Sequence, residues 1–457
     1  MSELSIWDQQ LVEKYNISGP RYTSYPTALQ FAEHFSAQDL IQALQESESD
    51  KDLSLYLHIP FCENICYYCA CNKVITKKKD KAERYLAALI DEAKMIAQHV
   101  GNRPVTQVHW GGGTPTFLSN EQICNLVSEL KKLFNFADDG EFAIEIDPRS
   151  IDQKTIPSLA RAGFNRLSIG VQDFNPQVQN AVNRVQPEDE TRNILLQARR
   201  NGFESISMDL IYGLPHQTVE SFNVTIDKII TMAPDRLSIF NYAHLPHRFK
   251  PQRRINSYDL PSAEEKLHIF ESAIRKLTDA GYVYIGMDHF ALPHDELTKS
   301  QQKGELHRNF QGYTTQAGCD LVGLGVSSIS QVGEVYSQNM RDLDEYYDKI
   351  ETQQLAVWRG CFLDQDDALR REVIMQLICH FELDICEFNK TFDINFNDYF
   401  AQELEYLKTL QQDGLLTVTD KEIQVSQVGR LLIRNICMAF DTYLQEISQV
   451  QSYSKAI

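Results

Sequence analysis

The chain has 457 residues, with 44 Lys plus Arg against 63 Asp plus Glu, a formal net charge of −19. That balance repels phosphate backbones and anionic lipid surfaces, so neither nucleic acid nor a membrane is an expected partner. With 43% hydrophobic and 23% charged residues, the chain is a folded protein with sizeable cores and not a disordered one.

At about 150 residues per domain the length suggests three parts, although one barrel alone can exceed 250. The segment Met1–Asp8 is polar and carries acids, unlike a secretory leader, and no run approaches a membrane helix. A cytoplasmic protein with reduced thiols is expected. Of its ten cysteines, four lie between Cys62 and Cys71. The other six, Cys124, Cys319, Cys361, Cys379, Cys386 and Cys437, are dispersed and read as small buried hydrophobes.

A short helical pattern opens the chain and leads into SGPRYTSYPT (18–27), where Gly19-Pro20 and Tyr25-Pro26 forbid a continuous helix. From residue 53, β-branched-rich apolar runs recur at 53–59, 105–110, 142–146, 166–172, 205–212 and 236–242, with helical patterns between them. In the helix expected over 82–100, Leu86, Leu89, Ile90, Ala93, Ile96, Ala97 and Val100 follow i, i+3, i+4 spacing. Alternating strands and helices give βα units around a parallel sheet, so a partial (β/α)6 TIM-like barrel is predicted. Polar and glycine residues follow each run (PFC, GGGT, DPR, DF, GLP, AHLP), where βα folds build their sites.

A helix over 262–280 precedes YVYIGMDHF (282–290), and LVGLGVSSISQVG (321–333) is expected to close the sheet. Helical patterns at 366–380 and 398–412, a hairpin at 414–426 and a helix at 427–448 predict a mostly helical, winged-helix-like end. From Asp364 on, 8 basic and 16 acidic residues give 8 − 16 = −8, which disfavours DNA. The expected organisation is an N-terminal extension over 1–45, a barrel with extra strands over 46–335 and a C-terminal domain over 336–457. The two ends are expected to cover the barrel mouth.

The segment HIPFCENICYYCACNKV places Cys62, Cys66 and Cys69 in C-x3-C-x2-C. A 4Fe–4S cluster usually takes four thiolates, so three close ones leave one iron open, as catalytic metal sites require. Zinc held with Cys71 or His58, or a Cys66–Cys69 redox pair, are the alternatives. Zinc sites usually come as two separated pairs, however.

C-x3-C-x2-C after a first barrel strand resembles the radical S-adenosylmethionine superfamily. HIPFC-x3-C-x2-C-x-C-N, GPRYTSYPTA, HWGGGTPT, E-x-DPR, GVQDF, DLIYGLP and NYAHLP together resemble the oxygen-independent coproporphyrinogen III oxidases, from about Lys14 to Asp441. The haem-chaperone branch, without oxidase activity, is the alternative. It typically lacks the GPRYTSYPTA extension and carries an aromatic where this chain has Cys71. Ala70 replaces a usual Gly, and Tyr68 a common Phe.

The resemblance implies a 4Fe–4S cluster on Cys62, Cys66 and Cys69 and two S-adenosylmethionine molecules. The first matches Tyr56, Tyr68, Gly112, Glu145 and Ile329. The second matches Gly113, Thr114, Gln172, Arg184, Asp209 and Ala243. Cys71 is implied to assist the radical or proton chemistry. The implied reaction converts two propionates of coproporphyrinogen III to vinyl groups through a 5′-deoxyadenosyl radical, giving protoporphyrinogen IX for haem. An electron donor for the cluster and a monomeric chain are also implied. Three regions are candidates for meeting the substrate's four carboxylates: Arg21 with Tyr22 and Tyr25, the run 244–254, and His307-Arg308-Asn309.

Overall fold

The computed structural model describes residues 7–47 and 51–446. The part of the N-terminal reading on Met1–Ile6 and the end of the 427–448 helix lie outside them, in whole or in part. By contacts the chain forms two compact units. The first collects Phe31–Gly281 and Gly318–Phe362. The second collects Met1–Gln30, Tyr282–Ala317 and Leu363–Ile457. These units differ from the boundaries at 45 and 335 read from the sequence, because the sheet of the first unit continues to Phe362.

In the first unit six strands alternate with helices: β1 (Leu53–Ile59), β2 (Pro104–Gly112), β3 (Asn135–Ile146), β4 (Arg166–Gln172), β5 (Ser205–Tyr212) and β6 (Arg236–Asn241). The main helices are α1 (Lys81–Ala97), α2 (Asn120–Leu133), α3 (Thr155–Ala162), α4 (Glu188–Arg200), α5 (Val219–Met232) and α6 (Ala263–Asp279). The β1-β2-β3-β4-β5-β6 order is parallel throughout. This is the (β/α)6 pattern that the apolar runs predicted. β3 starts seven residues earlier than its apolar core, through the polar Asn135–Glu141.

The helices begin where side chains satisfy the free N–H groups of the first turn. Ser119 and Thr218 form capping boxes with Gln122 and Ser221 at the starts of α2 and α5. One face of the strands is apolar and closed: Leu53, Leu55, Leu57, Val105, Trp110, Ile144, Ile169, Ile206, Met208, Leu210, Leu237 and Ile239 are buried. Each such side chain contributes about 1.5–3 kcal/mol. The period of two therefore sends the intervening polar residues to the opposite face.

Beyond β1 the sheet continues through β7 (Asp320–Leu324), β8 (Ile329–Val332), β9 (Val335–Asn339) and β10 (Val357–Phe362). β7 is parallel to β1, and the later pairs are antiparallel. The 321–333 stretch thus extends the sheet at its β1 edge. Glu92 of α1 is fully buried against this extension. It accepts hydrogen bonds from Gly325 N (2.7 Å), Asn339 Nδ2 (2.6 Å) and Tyr346 Oη (2.7 Å).

The second unit joins three distant segments. A three-stranded sheet orders Glu382–Asp384, Glu422–Val425 and Leu416–Val418. The helices Gln365–His380 and Ala401–Gln412 complete the winged-helix-like arrangement. The helix expected over 427–448 is broken into Gln427–Leu431, Ile433–Cys437 and shorter turns. There Arg434 points inward and donates to the carbonyls of Gly19 and Pro20. Asn435 donates to Tyr15 O (2.9 Å) and Tyr22 Oη to Asp441 (2.9 Å). A Cβ at Gly19 would stand 2.5 Å from Met438 Sδ, so that side chain would have to move. Of the six dispersed cysteines, only Cys379 and Cys437 are buried. Cys386 is exposed, contrary to the reading of all six as core.

Candidate active site

The polar face of the barrel strands forms a continuous belt. Tyr56 on β1 stacks on His109 of β2, with ring centroids 5.9 Å apart. His109 Nε2 lies 3.1 Å from Glu145 of β3. Glu145 is in register with Ser168 of β4, and Ser168 donates to Asp209 of β5 at 2.9 Å. Burial pushes the Asp209 carboxyl up to about 6 and the Tyr56 phenol well above its ordinary value.

At the strand ends the belt meets the cysteine loop. Cys62, Cys66, Cys69 and Cys71 line one cavity with Tyr68, Gly112, Gly113, Thr114, Glu145, Gln172, Arg184 and Asp209. The cavity has about 710 Å³ of empty volume, its open mouth included. The glycines at the end of β2 are needed for close approach. A Cβ at Gly112, where φ is +106°, would fall 2.5 Å from the His58 ring; one at Gly113 would fall 2.6 Å from the Pro60 carbonyl carbon. At the end of β4, Gln172 adopts φ +69°, beside a register irregularity in its pairing with β5.

Each of the two inner thiol positions has polar company. Thr114 Oγ1 donates to Cys62 Sγ at 3.3 Å. Arg149 Nη2 and Arg184 Nη1 both reach Cys66 Sγ, at 3.4 and 3.5 Å. Asp147 bridges the two guanidinium groups, at 2.6 Å from Arg149 and 3.1 Å from Arg184. Burial raises the Asp147 carboxyl, but the two arginines outweigh it and hold it below the usual range. A hydrogen bond from Cys71 lowers the Cys69 thiol and raises that of Cys71 itself. Lys73 Nζ donates to the carbonyls of Cys69 (3.0 Å) and Cys71 (3.3 Å).

Of the residues singled out from the sequence, Tyr56, Ala243 and Ile329 do not line this cavity. Tyr56 sits one step behind it in the belt. Ala243 offers its carbonyl to Gln252 (3.2 Å), which also binds Tyr68 O at 3.0 Å. Ile329 pairs with Gln338 in the β8–β9 ladder. Arg184 is buried; its Nη2 donates to Gly170 O at 2.5 Å, while its Nε has no partner. Arg21 is paired with Asp288. Arg308 is 3% exposed and stacks on Tyr313. Arg248, Lys250, Arg253 and Arg254 are exposed. Sequence reasoning missed His109, Asp147, Arg149 and Ser168. Two signals were available: HWGGGT places His109 two residues before the glycines, and DPR carries Asp147 and Arg149.

Residues 56–229 match the radical SAM superfamily model, and residues 363–432 match the HemN C-terminal domain. Oxygen-independent coproporphyrinogen III oxidase of Escherichia coli (strain K12) is 52% identical, covering 99% of this chain and 98% of that one. The same enzyme of Pseudomonas aeruginosa is 52% identical over 99% of both chains. The chain belongs to the oxygen-independent coproporphyrinogen III oxidase family. A solved structure, described as coproporphyrinogen III oxidase (HemN) from Escherichia coli, a radical SAM enzyme, superposes with a TM-score of 0.92. It shares 50% identity and covers 96% of this chain and 99% of that one. Full-length similarity to oxidases does not favour the haem-chaperone alternative.

The oxidase family implies a 4Fe–4S cluster and S-adenosylmethionine, and the residues present fit both. Among the described residues no three His, Cys, Asp or Glu side chains close around a single metal ion. The three cysteines instead face a shared cavity. Thr114 donates to Cys62 and the two arginines donate to Cys66, although burial still pushes the Cys62 thiol up to about 11. The glycine strip and the Arg184 guanidinium lining the cavity suit a ligand with a compact charged end. Among the described residues no helix is long and apolar enough to cross a membrane.

Proposed function

We propose that this chain catalyses the oxygen-independent oxidative decarboxylation of two propionate side chains of coproporphyrinogen III to vinyl groups, giving protoporphyrinogen IX. The observation that carries the reading is the meeting of the C-x3-C-x2-C thiols with the belt of polar side chains in one cavity. Cys62, Cys66 and Cys69 hold the cluster. Tyr56, Tyr68, Gly112, Glu145 and Ile329 serve one S-adenosylmethionine. Gly113, Thr114, Gln172, Arg184, Asp209 and Ala243 serve a second. When bound, cluster and S-adenosylmethionine supply a radical able to take hydrogen from an unactivated propionate carbon.

The chain's own residues bind, orient and exclude. Gly112 and Gly113 leave backbone groups open to the ligand's amino-acid end. Arg184 brings its positive charge to the cavity for a carboxylate, while Asp147 and Gly170 O fix its plane. Asp209, whose carboxyl burial pushes up to about 6, offers an acceptor at the belt's centre. Val178, Val182, Ile211, Leu214, Tyr242 and Ile255 pack with Tyr67 and Tyr68, which keeps water from that side of the cysteine loop. The exposed Cys71 carries a proton beside Cys69. The protein works as a cytoplasmic monomer fed by a one-electron donor.

The test is anaerobic incubation of the reconstituted protein with coproporphyrinogen III, S-adenosylmethionine and a reductant. Vinyl product that depends on all three is expected. A colourless zinc protein, or stable haem binding without vinyl product, would overturn the reading.

A further inference from the structure

On a chain of net charge −19, two short segments reverse the sign. Residues 73–81 carry five lysines and one acid, Asp80. Residues 244–254 carry Arg248, Lys250, Arg253 and Arg254 and no acid. Lys77, Lys78 and all four cations of the second run are exposed. Each segment is fastened to the cysteine loop. Lys73 holds the Cys69 and Cys71 carbonyls. From the second run, Gln252 donates to Tyr68 O at 3.0 Å. Arg254 lies over the Tyr67 ring and donates to its hydroxyl at 3.4 Å. Tyr67 and Tyr68 are the two residues between Cys66 and Cys69. The exposed basic turn is thus one hydrogen bond from the peptide that joins two cluster ligands.

A substrate carboxylate would need these cations turned into the cavity, as Arg184 is. None of the four lines it. Exposed like charges on a chain of net charge −19 instead steer a partner of opposite sign, and raise encounter rates by roughly 10–10³. Electron-transfer encounters need only a small interface. We propose that the turn carrying Arg248, Lys250 and Arg253 is the docking surface for an acidic one-electron carrier protein that reduces the cluster. The inference rests on the radical SAM reading of the cysteine site. The step moves one electron and no atom: the carrier is oxidised by one electron, the cluster is reduced by one, and no bond forms or breaks.

The test uses the full-length, anaerobically reconstituted enzyme with Arg248→Glu, Lys250→Glu and Arg253→Glu combined. Bleaching of the cluster absorbance is followed in stopped flow. One arm uses reduced flavodoxin as the acidic carrier; the other uses the methyl viologen radical, a small cation. Reduction by flavodoxin should slow by about 10-fold or more at low ionic strength. It should approach the unsubstituted rate as salt screens the charges. Reduction by the viologen should not slow. The Arg248→Lys, Arg253→Lys variant should keep the flavodoxin rate. An unchanged flavodoxin rate overturns the proposal, as does equal slowing with both reductants. An unchanged flavodoxin rate with a raised KM for coproporphyrinogen III also overturns it, and assigns the turn to the substrate. If the unsubstituted chain takes up no cluster, the cysteine-site reading fails as well, whereas a cluster reduced equally fast in both proteins fails the docking surface alone.

Discussion

Arg184 in the barrel and Arg434 in the second unit are both buried, and their partners differ. Arg434 donates to the carbonyls of Gly19 and Pro20 and so ties the N-terminal tract to the C-terminal helices. Arg184 meets a carboxylate, a carbonyl and a cysteine sulfur, and leaves Nε unpaired. A buried charge needs compensation. Where backbone carbonyls supply it, the residue serves the architecture. Where the side chain also lines the cavity beside the cysteines, the proposed role is toward a ligand. Substitutions around the first arginine should therefore change chemistry, and those around the second should change stability.

The largest effect is expected at the cysteine loop. Cys66→Ala should remove iron and acid-labile sulfide together with vinyl formation, while far-ultraviolet circular dichroism stays that of the folded chain. Metal analysis and product assay check this. Gly112→Ala comes next, because its Cβ must enter the space of the His58 ring at a φ of +106°. Activity should fall about 100-fold and stability by about 1–3 kcal/mol, measured as turnover and as a urea midpoint. In the second unit, Arg434→Leu should cost about 3 kcal/mol and leave the iron content per folded molecule unchanged. Loss of iron at unchanged stability would break the contrast between the two arginines.

The smallest predicted effect is a pH slope. Burial pushes Glu92 from 4.5 up to about 7, and its three hydrogen-bond donors only partly offset this. The folded state therefore binds a proton more tightly than the unfolded one. The contribution is full below about pH 4.5 and is lost as pH rises through about 7. Denaturant titrations should show stability declining across that window by on the order of 3 kcal/mol, with the slope flattened in Glu92→Gln.

The barrel was legible because its signals are local and periodic. Leu53, Leu55 and Leu57 alternate with Ser54 and Tyr56, and β2, β3 and β4 end on residues that line the cavity. The C-x3-C-x2-C run brings three cysteines to one cavity within eight residues. The second unit was less legible. Its parts lie more than 400 residues apart, and the break in the 427–448 helix depends on Arg434 finding Gly19 and Pro20, which no local pattern encodes. His109 and Ser168 were missed for a related reason. Each reads as an ordinary polar residue of its own strand, and only the register beside Tyr56, Glu145 and Asp209 makes them part of a belt. The run 248–254 was read as a substrate candidate from charge alone. Its four cations are exposed, and none lines the cysteine cavity.

The most direct measurement is mass spectrometry of the porphyrinogen after anaerobic turnover with S-adenosylmethionine and a reductant. The account predicts conversion of two propionates to vinyl groups, through a singly converted species, and none of this in Cys66→Ala. A folded, cluster-loaded protein that leaves coproporphyrinogen III unchanged would contradict it.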